Sequence, residues 1–173
     1  CTEGTKSRGV KILDDILAEA TAEGKEDQIF EAHDEDGNLP LHRASVNGNP
    51  DVLRWILETW ENKGLSLHVD ELDNSGYSPL YLVCMKGYLG QEGVGGKTVD
   101  TKNNRLDCMR ILLERQANTN FTTPELKMTP LHWAAYQGDS DMVALLLQYG
   151  ARQSMTKLGN TPVDIAGFCL NTE

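Results

Sequence analysis

The stretch TPLHWAAYQGDSDMVALLLQYGA, residues 129–151, contains the pattern that decides the fold. Pro130 suits the first turn of a helix, because its ring fixes φ and that turn does not need its missing N–H. Gly138 suits the end of that helix, and Asp139 can cap the next one. The stretch therefore predicts a short helix, a tight turn and a second, more apolar helix.

The same pattern recurs in four places along the chain. The strings GNLPLHRA, GYSPLYLV, KMTPLHWA and GNTPVDIA begin at Gly37, Gly76, Lys127 and Gly159, and their prolines are 39, 51 and 32 residues apart. A unit of about 33 residues that carries Thr-Pro-Leu-His-x-Ala resembles the ankyrin-repeat family. The resemblance covers residues 34 to about 168.

This resemblance implies an all-α fold, an ankyrin-repeat solenoid of stacked helix-turn-helix units joined by short β-hairpin tips. Each helix pair leaves an apolar face that only a neighbouring pair can bury. The expected units are an N-terminal segment at 1–33 with a capping helix at about 10–22, repeat 1 at 34–72 with a lengthened outer helix or loop, repeat 2 at 73–123, repeat 3 at 124–155 and a partial repeat 4 at 156–173.

The capping helix is predicted from an apolar stripe near the start of the chain. The stripe recurs at helical spacing, as expected for one face of an amphipathic helix. Such a helix would cover the apolar end of the stack, which terminal units must do for solubility. The predicted stripe is Ile12, Leu13, Ile16, Leu17 and Ala20.

Repeat 2 carries a glycine-rich insertion of 17 residues at 88–104, which is either functional or merely mobile. Asn104, at its end, is a candidate N-cap for the next helix. Within the insertion, the string GVGGKT at 93–98 resembles a phosphate-binding loop. Gln91 stands where that loop requires glycine, and no strand pattern precedes it, so we predict no nucleotide site.

Charge and composition exclude several classes of function. The net charge is −10, and such an acidic chain is a poor match for nucleic acid or anionic lipid. No apolar run approaches the roughly 18 residues of a membrane-spanning helix, so we expect no membrane insertion. The chain begins at Cys1 without Met or a signal-peptide pattern, and we therefore expect a fragment or a processed product.

Cysteine and histidine patterns give no support for a metal, a cofactor or catalysis. The four cysteines form no Cys-x-x-Cys pair, and Cys84 and Cys108 fall in apolar helical patterns, which favours free thiols and a cytoplasmic protein. His42 and His132 occupy the family position where the imidazole binds backbone between adjacent repeats. No Ser or Cys stands at a recognisable catalytic spacing from His and a carboxylate. We expect neither a metal nor a cofactor, and no enzyme.

The resemblance also implies which side chains face the concave groove of the solenoid and which lie at its hairpin tips. Several of the groove positions are apolar or aromatic, although packing does not require this, and such side chains are common in interfaces. An exposed apolar patch of this kind is either a partner site or a surface covered by another part of the chain. The predicted groove residues are Arg43, Val46, Asn47, Leu82, Met85, Lys86, Trp133, Tyr136 and Gln137. The predicted tip residues are Asp34, Glu35, Asp36, Asn38, Tyr77, Lys127, Met128 and Lys157.

Two functional hypotheses follow. In the first, the chain is a monomeric, non-catalytic module that binds another protein or a peptide through the groove and the tips. In the second, it is a regulatory or targeting domain of a larger enzyme, channel or membrane acyltransferase. A fold does not name a partner, so the sequence leaves the identity of the ligand open.

Overall fold

The structure, a computed structural model, describes residues 8–64, 69–85 and 101–170 of the 173-residue chain. Within these ranges the backbone forms helices joined by turns and loops, with no residue in a strand. The helices in chain order are α1 (Arg8–Glu23), α2 (Glu26–Glu31), α3 (Pro40–Val46), α4 (Pro50–Lys63), α5 (Pro79–Met85), α6 (Thr101–Glu114), α7 (Pro130–Tyr136), α8 (Ser140–Gln148) and α9 (Pro162–Leu170). The predicted all-α repeat fold is confirmed.

The helices of the repeats form two layers. The short helices α3, α5, α7 and α9 pack side by side in an inner layer, and the helices α4, α6 and α8 form an outer layer behind them. Each repeat contributes equivalent apolar side chains to the space between the layers. The inner helices bury Leu41, Leu80 and Leu131, and the outer helices bury Ile56, Leu112 and Leu146. The core is therefore a continuous row of repeated contacts, as expected for a solenoid.

Helix boundaries follow the predicted capping signals in repeats 1 and 3. The Asn49 side chain accepts a hydrogen bond from the backbone N–H of Val52 at 3.3 Å, which caps α4. Asp139 accepts hydrogen bonds from two backbone amides at the start of α8, each at 3.2 Å. Gly48 and Gly138, which follow α3 and α7, have φ values of +58° and +64°. The capping residues and helix-ending glycines predicted from the sequence therefore have these roles in the structure.

Two buried histidines join adjacent repeats. The backbone N–H of Leu39 donates to His42 Nδ1 at 3.2 Å, so the proton of this ring is on Nε2, which donates to the carbonyl oxygen of Glu71 at 2.9 Å. His132 Nε2 donates to the carbonyl oxygen of Asn160 at 3.3 Å in the same way. The predicted structural role of both histidines is confirmed. Burial lowers the pKa of each imidazole.

The N-terminal cap differs in detail from the prediction. α1 packs on α4, as expected, but it does so through Val10, Leu13 and Leu17. Ile12 and Ile16 are 51% and 45% exposed, so the prediction that they face the stack is wrong. The apolar stripe of α1 is wider than its contact surface with α4, so only one side of the stripe is packed against the core. The short helix α2, which the sequence did not predict, packs beside α3.

The predicted insertion at 88–104 is only partly described. Residues 86–100, which include Lys86 and the string at 93–98, lie outside the described residues. The helix α6 begins at Thr101, so the last four residues of the predicted insertion are helical and Asn104 is not an N-cap. The side chains of this first turn are all polar. The sequence therefore shows no apolar periodicity there, which is why the start of α6 was not predicted.

The last described helix, α9, packs against α7 without an outer helix behind it in the part of the chain that the structure covers. Val163 occupies the repeat position of Leu131 but is 63% exposed, whereas Leu131 is 2% exposed. On the outer layer, Leu147 is 45% exposed, although its equivalents Leu57 and Leu113 are buried. The described solenoid therefore has an apolar C-terminal face.

Candidate functional site

The groove residues of repeat 1 lie on and just after α3. Arg43 and Asn47 are exposed, and Val46 is half-buried. The Arg43 guanidinium forms an ion pair with the Asp34 carboxylate and lies 3.4 Å from that of Asp36. The first tip therefore offsets the positive charge of Arg43, and this end of the groove carries no net positive charge.

The first tip is a turn organised by the Asp34 carboxylate. This carboxylate accepts the backbone N–H of Asn38 at 2.8 Å and its side-chain amide at 3.1 Å. Partial burial favours the neutral acid, but the hydrogen bonds from Asn38 and Arg43 outweigh it and hold the pKa of Asp34 below its usual value. Asn38 is only 9% exposed, so it stabilises the turn, while Glu35 and Asp36 are exposed at its tip.

Adjacent tips are joined by backbone hydrogen bonds. The N–H of Asn74 in the second tip donates to the carbonyl oxygen of Asp36 at 3.1 Å, and the N–H of Lys157 donates to the carbonyl oxygen of Leu126 at 2.8 Å. The first of these contacts requires Gly37, which has φ +75°, because a Cβ atom there would lie 2.9 Å from the Asn74 nitrogen. The first tip is therefore fixed against the second, and the third against the fourth.

In repeat 2, the predicted groove residues offer less surface than the sequence suggested. Leu82 is 7% exposed, so the expectation that its side chain would be exposed is not met, and Met85 is half-buried. Lys86 lies outside the described residues. The tip residue Tyr77 is half-buried, and its ring stacks on that of Tyr81 with centroids 5.2 Å apart.

In repeat 3, the groove residues divide into two kinds. Trp133 is half-buried and Tyr136 is 41% exposed, with their ring centroids 6.0 Å apart in an edge-to-face arrangement. Gln137 instead links repeats 2 and 3, because its amide N–H donates to the carbonyl oxygen of Cys84 and its amide oxygen accepts from Arg105 at 3.2 Å. Gln137 therefore helps to fix the position of the groove wall.

Five aromatic residues form a connected cluster between repeats 2 and 3, which we call the aromatic cluster. Its centre is Tyr81, which is 2% exposed and contacts Phe121 and Trp133 edge-to-face at 5.6 and 6.4 Å between centroids. Burial raises the pKa of the Tyr81 hydroxyl. The members are Tyr77, Tyr81, Phe121, Trp133 and Tyr136. Trp133 and Tyr136 are the members that the sequence predicts to face the groove, and we call them its groove-facing end.

Sequence reasoning identified Tyr77, Trp133 and Tyr136 but missed the two residues that connect them. Tyr81 stands in the histidine position of repeat 2, where His42 and His132 stand in the neighbouring repeats. That substitution was the available signal for a different inter-repeat contact. Phe121 precedes the third tip and gave no signal, because its neighbours are polar loop residues.

The third and fourth tips are more basic than the first. Lys127 is exposed and adopts φ +52°, Met128 is half-buried and Lys157 is exposed. Among the predicted tip residues, the exposed charges change from Glu35 and Asp36 in the first tip to Lys127 and Lys157 in the third and fourth, where Glu125 is also exposed.

The described residues offer little reactive chemistry. Cys84 and Cys108 are buried free thiols, and burial raises the pKa of Cys84 well above its usual range, which disfavours the reactive thiolate. No group of three or more His, Cys, Asp or Glu side chains suited to a metal ion occurs in the described ranges. Among the helices of those ranges, none is both long and apolar enough to span a bilayer.

Stacked helix pairs with an inner and an outer layer define a helical-repeat solenoid, a class of scaffold that presents extended binding surfaces. The family description "Ankyrin repeats (3 copies)" matches residues 99–172, and "Ankyrin repeats (many copies)" matches residues 41–91. The chain belongs to the ankyrin-repeat family. Repeats of this family are protein-interaction modules and are generally non-catalytic.

Similar stretches occur in several much longer proteins. Palmitoyltransferase AKR1 of Lachancea kluyveri is 43% identical over 65 residues, which are 38% of this chain and 9% of that protein. Human palmitoyltransferase ZDHHC13 is 47% identical over 49 residues, 28% of this chain and 8% of that protein. The bovine SMC5-SMC6 complex localization factor protein 1 is 30% identical over 131 residues, 74% of this chain and 10% of that protein. The chain thus spans a tenth or less of each of these relatives.

Proposed function

We propose that this chain is a non-catalytic recognition module that holds a segment of a partner protein in its concave groove. The observation that carries the proposal is the aromatic cluster, whose groove-facing end leaves Tyr136 41% exposed and Trp133 half-buried on the surface. Tryptophan and tyrosine, together with arginine, are the side chains enriched among binding hot spots. Each adds a large apolar surface, and the tyrosine hydroxyl can also donate a hydrogen bond to the partner or accept one from it.

The geometry behind these two rings supports the proposal, because it fixes them before a partner arrives. Trp133 rests edge-to-face on the buried ring of Tyr81, and Tyr136 rests edge-to-face on Trp133. Gln137, next in the chain, is bound to both Cys84 and Arg105 of repeat 2. Binding a partner therefore costs little additional side-chain conformational entropy, because folding has already ordered both rings, and this favours affinity.

The polar tips would set the direction in which the partner lies. Glu35 and Asp36 are exposed at one end of the row of tips, and Lys127 and Lys157 are exposed at the other. A partner segment with basic residues near the first tip and acidic residues near the third and fourth would be favoured over the reverse orientation. Such exposed charges affect the association rate and the choice of partner more than the final affinity.

The exchange Tyr136→Ala tests the proposal, and Tyr149→Ala provides a matched control. Tyr149 lies at the end of the outer helix α8 and is 38% exposed, close to the 41% of Tyr136, but it is not part of the aromatic cluster. We expect Tyr136→Ala to weaken partner binding by about 30-fold, the effect of a hot spot worth about 2 kcal/mol. We expect Tyr149→Ala to change it by less than about threefold.

The measurement is affinity capture with quantitative mass spectrometry, followed by titration calorimetry with the partner that the unmodified chain retains. Far-ultraviolet circular dichroism and thermal melting of each variant serve as folding controls. Equal loss of the partner with both tyrosine variants, or loss with neither, would show that the groove is not the binding surface.

A second function is favoured by the names of the similar proteins. We propose as the alternative that the chain serves as a regulatory or targeting domain within a larger enzyme, channel or membrane acyltransferase, because two of the relatives described above are called palmitoyltransferases. Translation of the complete reading frame tests it. Membrane-spanning or catalytic sequence on either side would support this alternative, and an isolated repeat frame that encodes a monomeric cytoplasmic protein would support the first proposal.

A further inference from the structure

A cleft of about 300 Å³ lies between the N-terminal cap and repeat 1. We call it the cap cleft. Side chains of α1 and α2 form one side of it, and side chains of α3 and α4 form the other. Its apolar wall includes Leu13, Ile29, Phe30, Ala44, Val52 and Trp55. The sequence did not predict this cleft, because the cap was expected to close the end of the stack.

The cap cleft exists because the cap covers repeat 1 less completely than one repeat covers the next. Val52 in α4 is only half-buried, whereas Cys108 and Met142, at the same position of α6 and α8, are both 0% exposed. The inner-layer neighbour of α3 on this side is α2, a helix of six residues that packs on α3 less extensively than α5 does. The unfilled space between these helices is the cleft.

Contacts between the cap helices and α4 fix the positions of the walls of the cap cleft. The indole N–H of Trp55 donates to the Asp14 carboxylate at 2.7 Å, which attaches α1 to α4. Phe30 of α2 is 1% exposed and lies against Trp60 and Trp55, with centroids 5.7 and 6.0 Å apart. Because both cap helices are anchored in this way, the cleft is formed before any ligand binds.

One side of the cap cleft is polar and contains two of the predicted groove residues. Arg43 and Asn47 line the cleft there, and both are exposed. The first tip stands beside Arg43 and brings the carboxylates of Asp34, Glu35 and Asp36, of which Asp34 and Asp36 pair with the Arg43 guanidinium. Three carboxylates against one guanidinium leave an excess of negative charge at the mouth of an apolar cleft. That combination fits an apolar group with a positive charge next to it.

We propose that the cap cleft binds one large apolar side chain of a partner polypeptide, with a lysine or arginine next to it in the partner sequence lying against Glu35 and Asp36. The volume is at the lower end for a ligand pocket and suits a single side chain. An aliphatic or aromatic anchor that fills such a pocket is the usual centre of a binding interface. This inference rests on the proposed function, since it adds a second anchor point at the N-terminal end of the same groove.

The test uses three blocked tetrapeptides as probes and the indole N–H signal of Trp55 in nuclear magnetic resonance spectra as the reporter. The peptides are acetyl-Gly-Leu-Lys-Gly-amide, the same peptide with Ser for Leu, and the same peptide with Glu for Lys. We expect the Leu-Lys peptide to shift the Trp55 signal in a saturable way at millimolar concentrations. Each of the other two should bind at least about tenfold more weakly, because one lacks the anchor and the other is repelled.

Variants of the protein locate the binding. Ala44→Leu fills the cleft from α3 and should abolish the shift, whereas Ala144→Leu adds the same side chain at an exposed position of α8 and should not. If Ala44→Leu does not fold, Glu35→Lys provides the second test, since it should weaken the Leu-Lys peptide several-fold and strengthen the Leu-Glu peptide. Tyr136→Ala should leave all of these responses unchanged.

Several results would overturn the inference. They are no saturable shift of Trp55 with the Leu-Lys peptide, an unchanged shift in folded Ala44→Leu, and a response to decanoate without any response to the peptides, which would assign the cleft to an acyl chain. The groove proposal fails separately, when Tyr136→Ala does not affect partner binding. The two failures are therefore distinguishable.

Discussion

At the residue scale, the same position of the repeat performs two different tasks. In repeats 1 and 3 it holds His42 and His132, whose rings bind a backbone carbonyl of the next tip. In repeat 2 it holds Tyr81, which is buried against Phe121 and Trp133. One exchange at a structural position thus replaces a histidine–carbonyl hydrogen bond by an aromatic contact, and that contact positions the ring of Trp133.

The two histidines also predict a pH dependence of stability. Burial lowers their pKa in the folded state, although the hydrogen bond to Glu71 and the nearby carboxylate of Asp73 partly counter this for His42. Between the folded-state pKa and the unfolded value of about 6.5, the unfolded chain therefore binds more protons than the folded chain. Above pH 6.5 the histidines should therefore not reduce the free energy of unfolding. Below pH 6.5 the free energy of unfolding should fall as the pH decreases, because the unfolded chain takes up protons first.

Urea unfolding at pH 7.5 and 5.5 checks this prediction. His132→Gln removes one of the buried imidazoles and should reduce the difference in unfolding free energy between the two pH values. His33→Gln changes an exposed histidine outside this pair and serves as the control. A difference that is the same in His132→Gln as in the unmodified protein would show that the buried imidazole does not cause the pH dependence.

At the element scale, the stability of each helix pair depends on whether a neighbouring pair covers it. Leu131 of α7 lies between an inner and an outer helix and is 2% exposed. Val163 occupies the same position of α9 and is 63% exposed. The residue types are alike and the local sequences are alike, so the difference arises from the layer behind the helix and not from the helix itself.

Matched truncations of these two side chains follow from that difference. Leu131→Ala should lower the free energy of unfolding by about 2–5 kcal/mol, because it removes buried apolar atoms and leaves a cavity. Val163→Ala should change it by no more than about 0.5 kcal/mol, as for an exposed position. Chemical unfolding of both variants measures the contrast, and similar losses in the two would mean that Val163 is covered in solution.

The same elements show how far the sequence alone predicts this structure. The helices that begin at Pro40, Pro79, Pro130 and Pro162 were all predictable, since proline and glycine act through local backbone geometry. The helix α2 was not, because six residues are too few to show a period. The polar start of α6 at Thr101 was missed for a related reason, as it carries no apolar stripe.

At the scale of the whole molecule, the two proposed binding features lie on the same face of the solenoid. The inner helices and the joined tips form a surface with the cap cleft at one end and the aromatic cluster further along. The sequence predicted that face from the family resemblance, but it did not predict exposure within it. Leu82 and Asn38 are nearly buried, since exposure depends on contacts that the spacing of motifs does not define.

Site-specific photo-crosslinking tests the central claim, partner binding in the concave groove, most directly. A benzoylphenylalanine is placed at position 136 in one variant and at position 149 in another, and each full-length variant is irradiated with the partner that the unmodified chain retains. The groove account predicts a crosslinked product from Tyr136→benzoylphenylalanine and none from Tyr149→benzoylphenylalanine. A product from position 149, with none from position 136 in a variant that still binds the partner, would contradict it.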